Sequence, residues 1–183
     1  GGLTYGLEQA GIDVRAGIDI DPSCRYPYES NSDSEFLLYD IGGVNEETES
    51  EVPDLDINEI EDRIPENAII ILAGCAPCQP FSNLNNGKEN SDHEKWGLLR
   101  SMRAVIEELE PHIVAMENVK GISDDEIYTE EFYGWFEAND QYNVWDTVTN
   151  CTDYLVPQSR ERLVMLASRL GEIELVPPAK DEG

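Results

Sequence analysis

Basic residues are scarce. The chain of 183 residues carries 12 Lys and Arg against 39 Asp and Glu, with two histidines and a formal net charge of −27. Cysteine is sparse too, at four, which is too few for a disulfide scaffold of this length. Cys75 and Cys78 have the spacing of half a zinc site or a redox pair. No second close Cys or His pair completes it, so no metal is expected. No apolar run approaches the roughly 20 residues of a membrane-spanning helix. Neither a signal peptide nor an initiator Met opens the chain, and internal repeats and low-complexity linkers are absent. Membrane, repeat and disulfide-framework classes are thereby set aside.

What remains is a chain with 40% hydrophobic residues, enough for one core. Acidic chains of low hydrophobicity are often disordered. The apolar blocks at 68–73 (Ala-Ile-Ile-Ile-Leu-Ala) and 163–167 (Leu-Val-Met-Leu-Ala) argue for a folded protein instead. Its acid then reads as a surface adapted to high salt, where screening shortens the reach of self-repulsion. The acid is unevenly spread. Residues 75–121 and 157–162 hold 7 of the bases and only 8 of the acids, a mild pointer to an anionic partner.

The pattern of elements is alternating. A helix is expected over 3–10 with a glycine stop at Gly11, then a strand over 14–18 ending at Asp19. Asp21-Pro22 starts a further helix, 36–38 is a short strand ending at Asp40, and 42–56 is a surface loop. A short helix is expected over 57–63 and a buried strand over 68–73, apolar throughout. The polar stretch 74–95 follows, long for a loop in a compact domain and hence functional in character. A helix over 98–109, a strand over 113–116, a helix over 127–138 and strands over 142–148 and 163–167 complete the order. Alternation of this kind implies an α/β fold with a mainly parallel sheet and helices on both faces. Ligands in such folds sit at the carboxyl ends of strands, where Asp19, Asp40, Cys75 to Gln79 and Glu117-Asn118 fall.

Three segments carry chemistry. Pro77-Cys78-Gln79-Pro80-Phe81-Ser82 places a cysteine just past an apolar strand, where a thiolate could act as a nucleophile; a buried structural cysteine is the plainer alternative. Glu117-Asn118-Val119 ends another strand, and a carboxyl in a pocket can hold a proton for a ring nitrogen. Gln158-Ser159-Arg160-Glu161-Arg162 alternates two arginines along an extended chain, so both can serve one face. Separately, Gly1-Gly2 opening a helix, with Asp19 following 17 residues after Gly2, fits a nucleotide ribose site. An ordinary helix start and an Asp cap would look the same.

In this order the segments resemble the cytosine-5 DNA methyltransferase family, from residue 1 to about 178. The resemblance implies a Rossmann-like, S-adenosylmethionine-dependent methyltransferase fold, with residues 1–183 forming a partial catalytic domain. The first strand and the C-terminal target-recognition region would be missing, and the piece alone would be inactive. The resemblance implies Cys78 as nucleophile, Glu117 as the acid at cytosine nitrogen 3, and Arg160 and Arg162 as catalytic arginines. Gln79, Ser82, Asn118, Val119 and Gln158 would bind substrate. S-adenosyl-L-methionine would lie against Gly1, Gly2, Leu3, Asp19, Ile20, Asp40, Ile41, Pro77 and Leu98. The implied partner is a cytosine-containing DNA duplex, with a cognate restriction endonuclease in the same system. A cytoplasmic monomer, when complete, is expected. A tRNA cytosine-5 methyltransferase, an inactive methyltransferase-like binding module and an unrelated nucleotide-binding enzyme remain as alternatives at this point.

Overall fold

The computed structural model describes residues 1–43, 51–75 and 92–178. The chain divides into two compact units, one of residues 1–68 with 107–109, the other of 69–106 with 110–183. Among the described residues, no helix is long and apolar enough to cross a membrane.

The first unit opens with helix α1, Gly2–Gln9. Its end is a glycine stop, as expected. Gly11 has φ of 82°, Gly11 N donates to Glu8 O at 2.9 Å, and Ile12 N donates to Leu7 O at 3.0 Å. Strand β1 is Ala16–Asp19, two residues later in its start than the apolar pattern suggested. A 3₁₀ turn, Pro22–Cys24, leads into helix α2, Arg25–Glu29, and the Asp21 carboxylate accepts from Ser23 N at 2.8 Å to start it. Strand β2, Glu35–Leu38, returns parallel to β1 with Asp19 opposite Leu38. Gly17 is required by packing. A Cβ there would meet the Tyr28 ring at 2.3 Å, and that buried ring is pinned by a 2.6 Å hydrogen bond between its hydroxyl and Ser34 Oγ.

The expectation of a surface loop over 42–56 is corrected at its far end. Asp40 N donates to Pro53 O at 2.9 Å and Leu55 N to Asp40 O at 3.0 Å, a short parallel bridge. Leu55 is buried, which is what gives this polar stretch an anchor. Helix α3, Ile57–Glu61, follows, capped by the Asp56 carboxylate.

The second unit is built on a four-stranded sheet in the order β3-β4-β6-β5. Strand β3 is Ile71–Gly74, β4 is Ile113–Val119, β5 is Asn143–Asn150 and β6 is Glu161–Ser168. β3 and β4 are parallel, while β6 runs antiparallel to both β4 and β5. The strands bearing the expected ligand ends thus pair in parallel, as the α/β reading requires. Two further corrections belong here. The strand expected over 68–73, buried throughout, begins only at Ile71 and is half-buried, with Ile69 61% exposed. The Ile70 amide is taken by His112 Nδ1 at 3.1 Å instead of by a ladder, and β3 stands at the end of its sheet. Helix α4 spans Asp92–Leu109, six residues longer at its start than the apolar period indicated.

Alternate residues of β4 and β6 face the core. Val114, Met116, Leu163, Met165 and Ala167 meet Leu99, Met102 and Ile106 of α4. Tyr128 and Phe132 come from a π-helical segment, Ile127–Tyr133, and Phe136 from helix α5, Gly134–Ala138, which continues it. Phe132 and Phe136 meet edge to face with centroids 5.6 Å apart. Burying side chains of this size contributes about 1.5–3 kcal/mol each, which holds β4 and β6 in register.

Candidate active site

In the first unit, the parallel pairing sends β1 and β2 out along one edge of their sheet. Asp19 ends β1 there, and Asp40 follows β2 by two residues. Asp19 is exposed, and one carboxylate oxygen accepts from Asp21 N at 2.9 Å. The Cys24 side chain also hydrogen-bonds to this carboxylate. Asp40 Oδ1 accepts from Gly42 N at 2.8 Å, which shapes the turn Ile41–Gly43. Gly2 and Leu3 form the first turn of α1, with Gly1 just before it, and Ile20 is half-exposed beside Asp19. Desolvation, then the Asp19 and Asp21 charges, push the Cys24 thiol above its ordinary pKa. An exposed carboxylate at a strand end is an acceptor of the kind that suits the hydroxyls of a nucleoside. Leu98, on α4 of the second unit, is half-buried.

In the second unit, β3 and β4 end side by side, with Gly74 opposite Met116. Cys75 leaves β3 beside the level of Glu117 and is exposed. Pro77, Cys78, Gln79 and Ser82 lie outside the described residues.

Glu117 sits on β4 opposite Val164, and Arg162 on β6 opposite Val119, so both face the same side of the sheet on a diagonal. Arg162 Nε donates to Glu117 Oε1 at 2.7 Å; the arginine is 17% exposed and the acid 44%. The pair is charge-assisted and directional. Arg162 Nη1 also donates to Glu161 O at 2.7 Å, while Glu161 pairs with Lys120 on the outside. Asn118 faces the other side. It is 1% exposed, and its Oδ1 accepts from Val119 N at 2.8 Å, stiffening the strand end that carries Glu117. Val119 is half-buried on the Glu117 side.

The remaining expected residues come from the loop between β5 and β6. Gln158 is exposed, and its N donates to Val156 O at 2.7 Å across a tight turn centred on Pro157. Arg160 is exposed immediately before β6. Residue-pattern reasoning missed three members of this neighbourhood. Lys120 and Glu161 form an ion pair beside the Arg162–Glu117 pair. Asn150 organises the loop, and its signal was an Asx residue two positions before Thr152.

The chain matches the model of the C-5 cytosine-specific DNA methylase family over residues 1–182. It is similar to the type II methylase M.HgiDII of Herpetosiphon aurantiacus, 39% identical over 97% of this chain and 47% of that protein. It is also similar to the type II methyltransferase M.HhaI of Haemophilus parahaemolyticus, 32% identical over 92% of this chain and 46% of that protein. The crystal structure of S. pombe Dnmt2 methyltransferase superposes with a TM-score of 0.68 at 21% identity, covering 96% of this chain and 48% of that one. That likeness is one of fold. The chain spans just under half the length of each of these proteins.

Proposed function

Since the chain belongs to the C-5 cytosine-specific DNA methylase family, we propose that the full-length protein methylates carbon 5 of cytosine in DNA. The observation that carries this reading is the meeting of three strand ends. The chain leaving β3 toward Cys78, Glu117 on β4 and Arg162 on β6 share one end of one sheet, with the acid and the arginine 2.7 Å apart.

Carbon 5 of cytosine is a poor nucleophile. In the proposed mechanism the Cys78 thiolate adds to carbon 6, forming the S–C bond. The electron pair displaced from the 5,6 double bond makes carbon 5 nucleophilic. Glu117 engages ring nitrogen 3 by protonation or hydrogen bonding and stabilises the adduct. Arg162 orients the Glu117 carboxyl and, with Arg160, offers donors to the base oxygen and backbone phosphates. Bound S-adenosyl-L-methionine supplies an electrophilic methyl group, and Gly1, Gly2, Leu3, Asp19, Ile20, Asp40, Ile41, Pro77 and Leu98 would hold it. Loss of the carbon 5 proton to a base, with expulsion of the Cys78 thiolate, restores the aromatic ring. The target base must leave the stack, at a cost of a few kcal/mol. Gln79, Ser82, Val119 and Gln158 would line the flipped base, while the buried Asn118 supports Glu117 from behind. The protein acts as a monomer in this proposal, beside a cognate restriction endonuclease. That context draws on relatives named type II methylases.

Glu117→Gln in the full-length protein tests the chemistry. Its methyl-transfer rate should fall by about 10²–10⁴-fold, the usual worth of a general acid, with cofactor affinity unchanged. A rate close to wild type would exclude the acid role.

A further inference from the structure

Asn150 is the last residue of β5, and its side chain gathers the loop that leads to the two arginines. Oδ1 accepts from Thr152 N at 3.1 Å, from Thr152 Oγ1 at 3.0 Å and from Arg160 N at 3.2 Å. Nδ2 donates to Ser159 Oγ at 3.4 Å. An asparagine that merely capped the turn Cys151–Tyr154 would bond two residues ahead and stop there. This one also binds the backbone ten residues ahead, where the chain re-enters the sheet. Cys151 N donates to Arg160 O at 2.9 Å and closes the same neck. Beyond it the ladder continues with Asn150 opposite Glu161 and Thr149 opposite Arg162. The oxygen of one half-buried amide therefore fixes both where the chain leaves β5 and where Arg160 begins the approach to β6.

We propose that Asn150 is a positioning residue for the Arg160–Arg162 segment. It sets the height and direction of these arginines at the end of the sheet without itself touching the nucleic acid. The inference rests on the reading above, in which the arginines meet DNA. An amide carbonyl suits the task, since it accepts from several donors at once and adds no charge beside a phosphate.

The test uses the full-length protein, a cytosine-containing DNA duplex, steady-state methyl transfer and equilibrium binding of S-adenosyl-L-methionine. Asn150→Ala should lower kcat/KM for DNA by about 10- to 100-fold, because misplacement by about 1 Å is that costly. Cofactor affinity should stay unchanged. Asn150→Asp keeps the acceptor oxygen but brings a negative charge beside the arginines, so it should restore only part of the loss. Arg160→Ala and Arg162→Ala are the controls on the underlying reading. If both retain full activity, that reading fails and Asn150 loses its role with it. If they lose activity while Asn150→Ala keeps it, the positioning role alone is overturned. Equal loss of cofactor and DNA binding in Asn150→Ala would also overturn it, as the mark of general unfolding. Should Asn150→Ala not fold, Asn150→Ser replaces it. Its shorter acceptor should still lower kcat/KM for DNA, and unimpaired transfer by Asn150→Ser would overturn the proposal.

Discussion

Two single positions show how far residue identity alone can be read. Gly17 lies under the Tyr28 ring, and its need for a missing side chain appears only once β1 and α2 are packed. Gly17→Ala should destabilise the first unit by about 1–3 kcal/mol, the usual cost of overpacking, measured by denaturant unfolding. Leu155 is the opposite case. It has φ of 64° and is 71% exposed, so a branched side chain pays left-handed strain for almost no burial. Leu155→Gly should therefore stabilise the fold by up to about 1 kcal/mol after the glycine entropy cost is subtracted. A glycine there would have marked the turn in the sequence, whereas a leucine hid it. The 2.7 Å contact between Glu117 and Arg162 depends on a cross-strand register that residue types do not carry.

At the scale of elements, the local signals worked where one side of a segment was buried. While the alternating burial of β4 and β6 emerged only in the fold, the apolar runs at 113–116 and 163–167 announced strands and the apolar period of α4 from Leu98 onward announced a core face. They failed where polar backbone partners decided the outcome. Ile70 is held out of β3 by His112, and Leu55 anchors a stretch that looked wholly solvent-exposed. Strand direction was not legible either, because the antiparallel placing of β6 depends on pairing with distant partners. The π-helical segment shows its coupling to the sheet through Tyr128, whose hydroxyl donates to Asp146 Oδ2 at 2.7 Å. Burial, then that hydrogen bond, pushes the Tyr128 pKa well up from its ordinary value. The folded state therefore keeps this proton when the unfolded chain would release it. The resulting stability is fully present below about pH 10 and is lost as pH rises beyond it. Tyr128→Phe should lower stability at neutral pH by about 1 kcal/mol. It should also flatten the decline above about pH 10 by one proton's worth of slope, readable in urea melts at stepped pH.

For the whole molecule, charge is the dominant feature. A net charge of −27 on 183 residues opposes compaction unless it is screened. The Debye length is about 10 Å at 0.1 M salt and about 3 Å at 1 M, so the fold should loosen as salt is withdrawn. Circular dichroism of the chain from about 3 M to 0.1 M KCl should show falling stability. Equal or greater stability at low salt would remove the halophilic explanation of the acidity. The order of the chemistry-bearing segments was legible at this scale, and the family match over residues 1–182 agrees with it.

The proposed mechanism turns on Cys78 as the nucleophile, acting with Glu117 and Arg162. Its most direct test is covalent trapping of the full-length protein on duplex DNA containing 5-fluorocytosine, followed by peptide mapping by mass spectrometry. Fluorine at carbon 5 cannot leave as the proton does, so the adduct should persist once the methyl has been transferred. The account predicts one cofactor-dependent adduct, at Cys78, abolished in Cys78→Ser and retained in Cys75→Ser. An adduct at Cys75, or none at either cysteine in a protein that still methylates DNA, would contradict it.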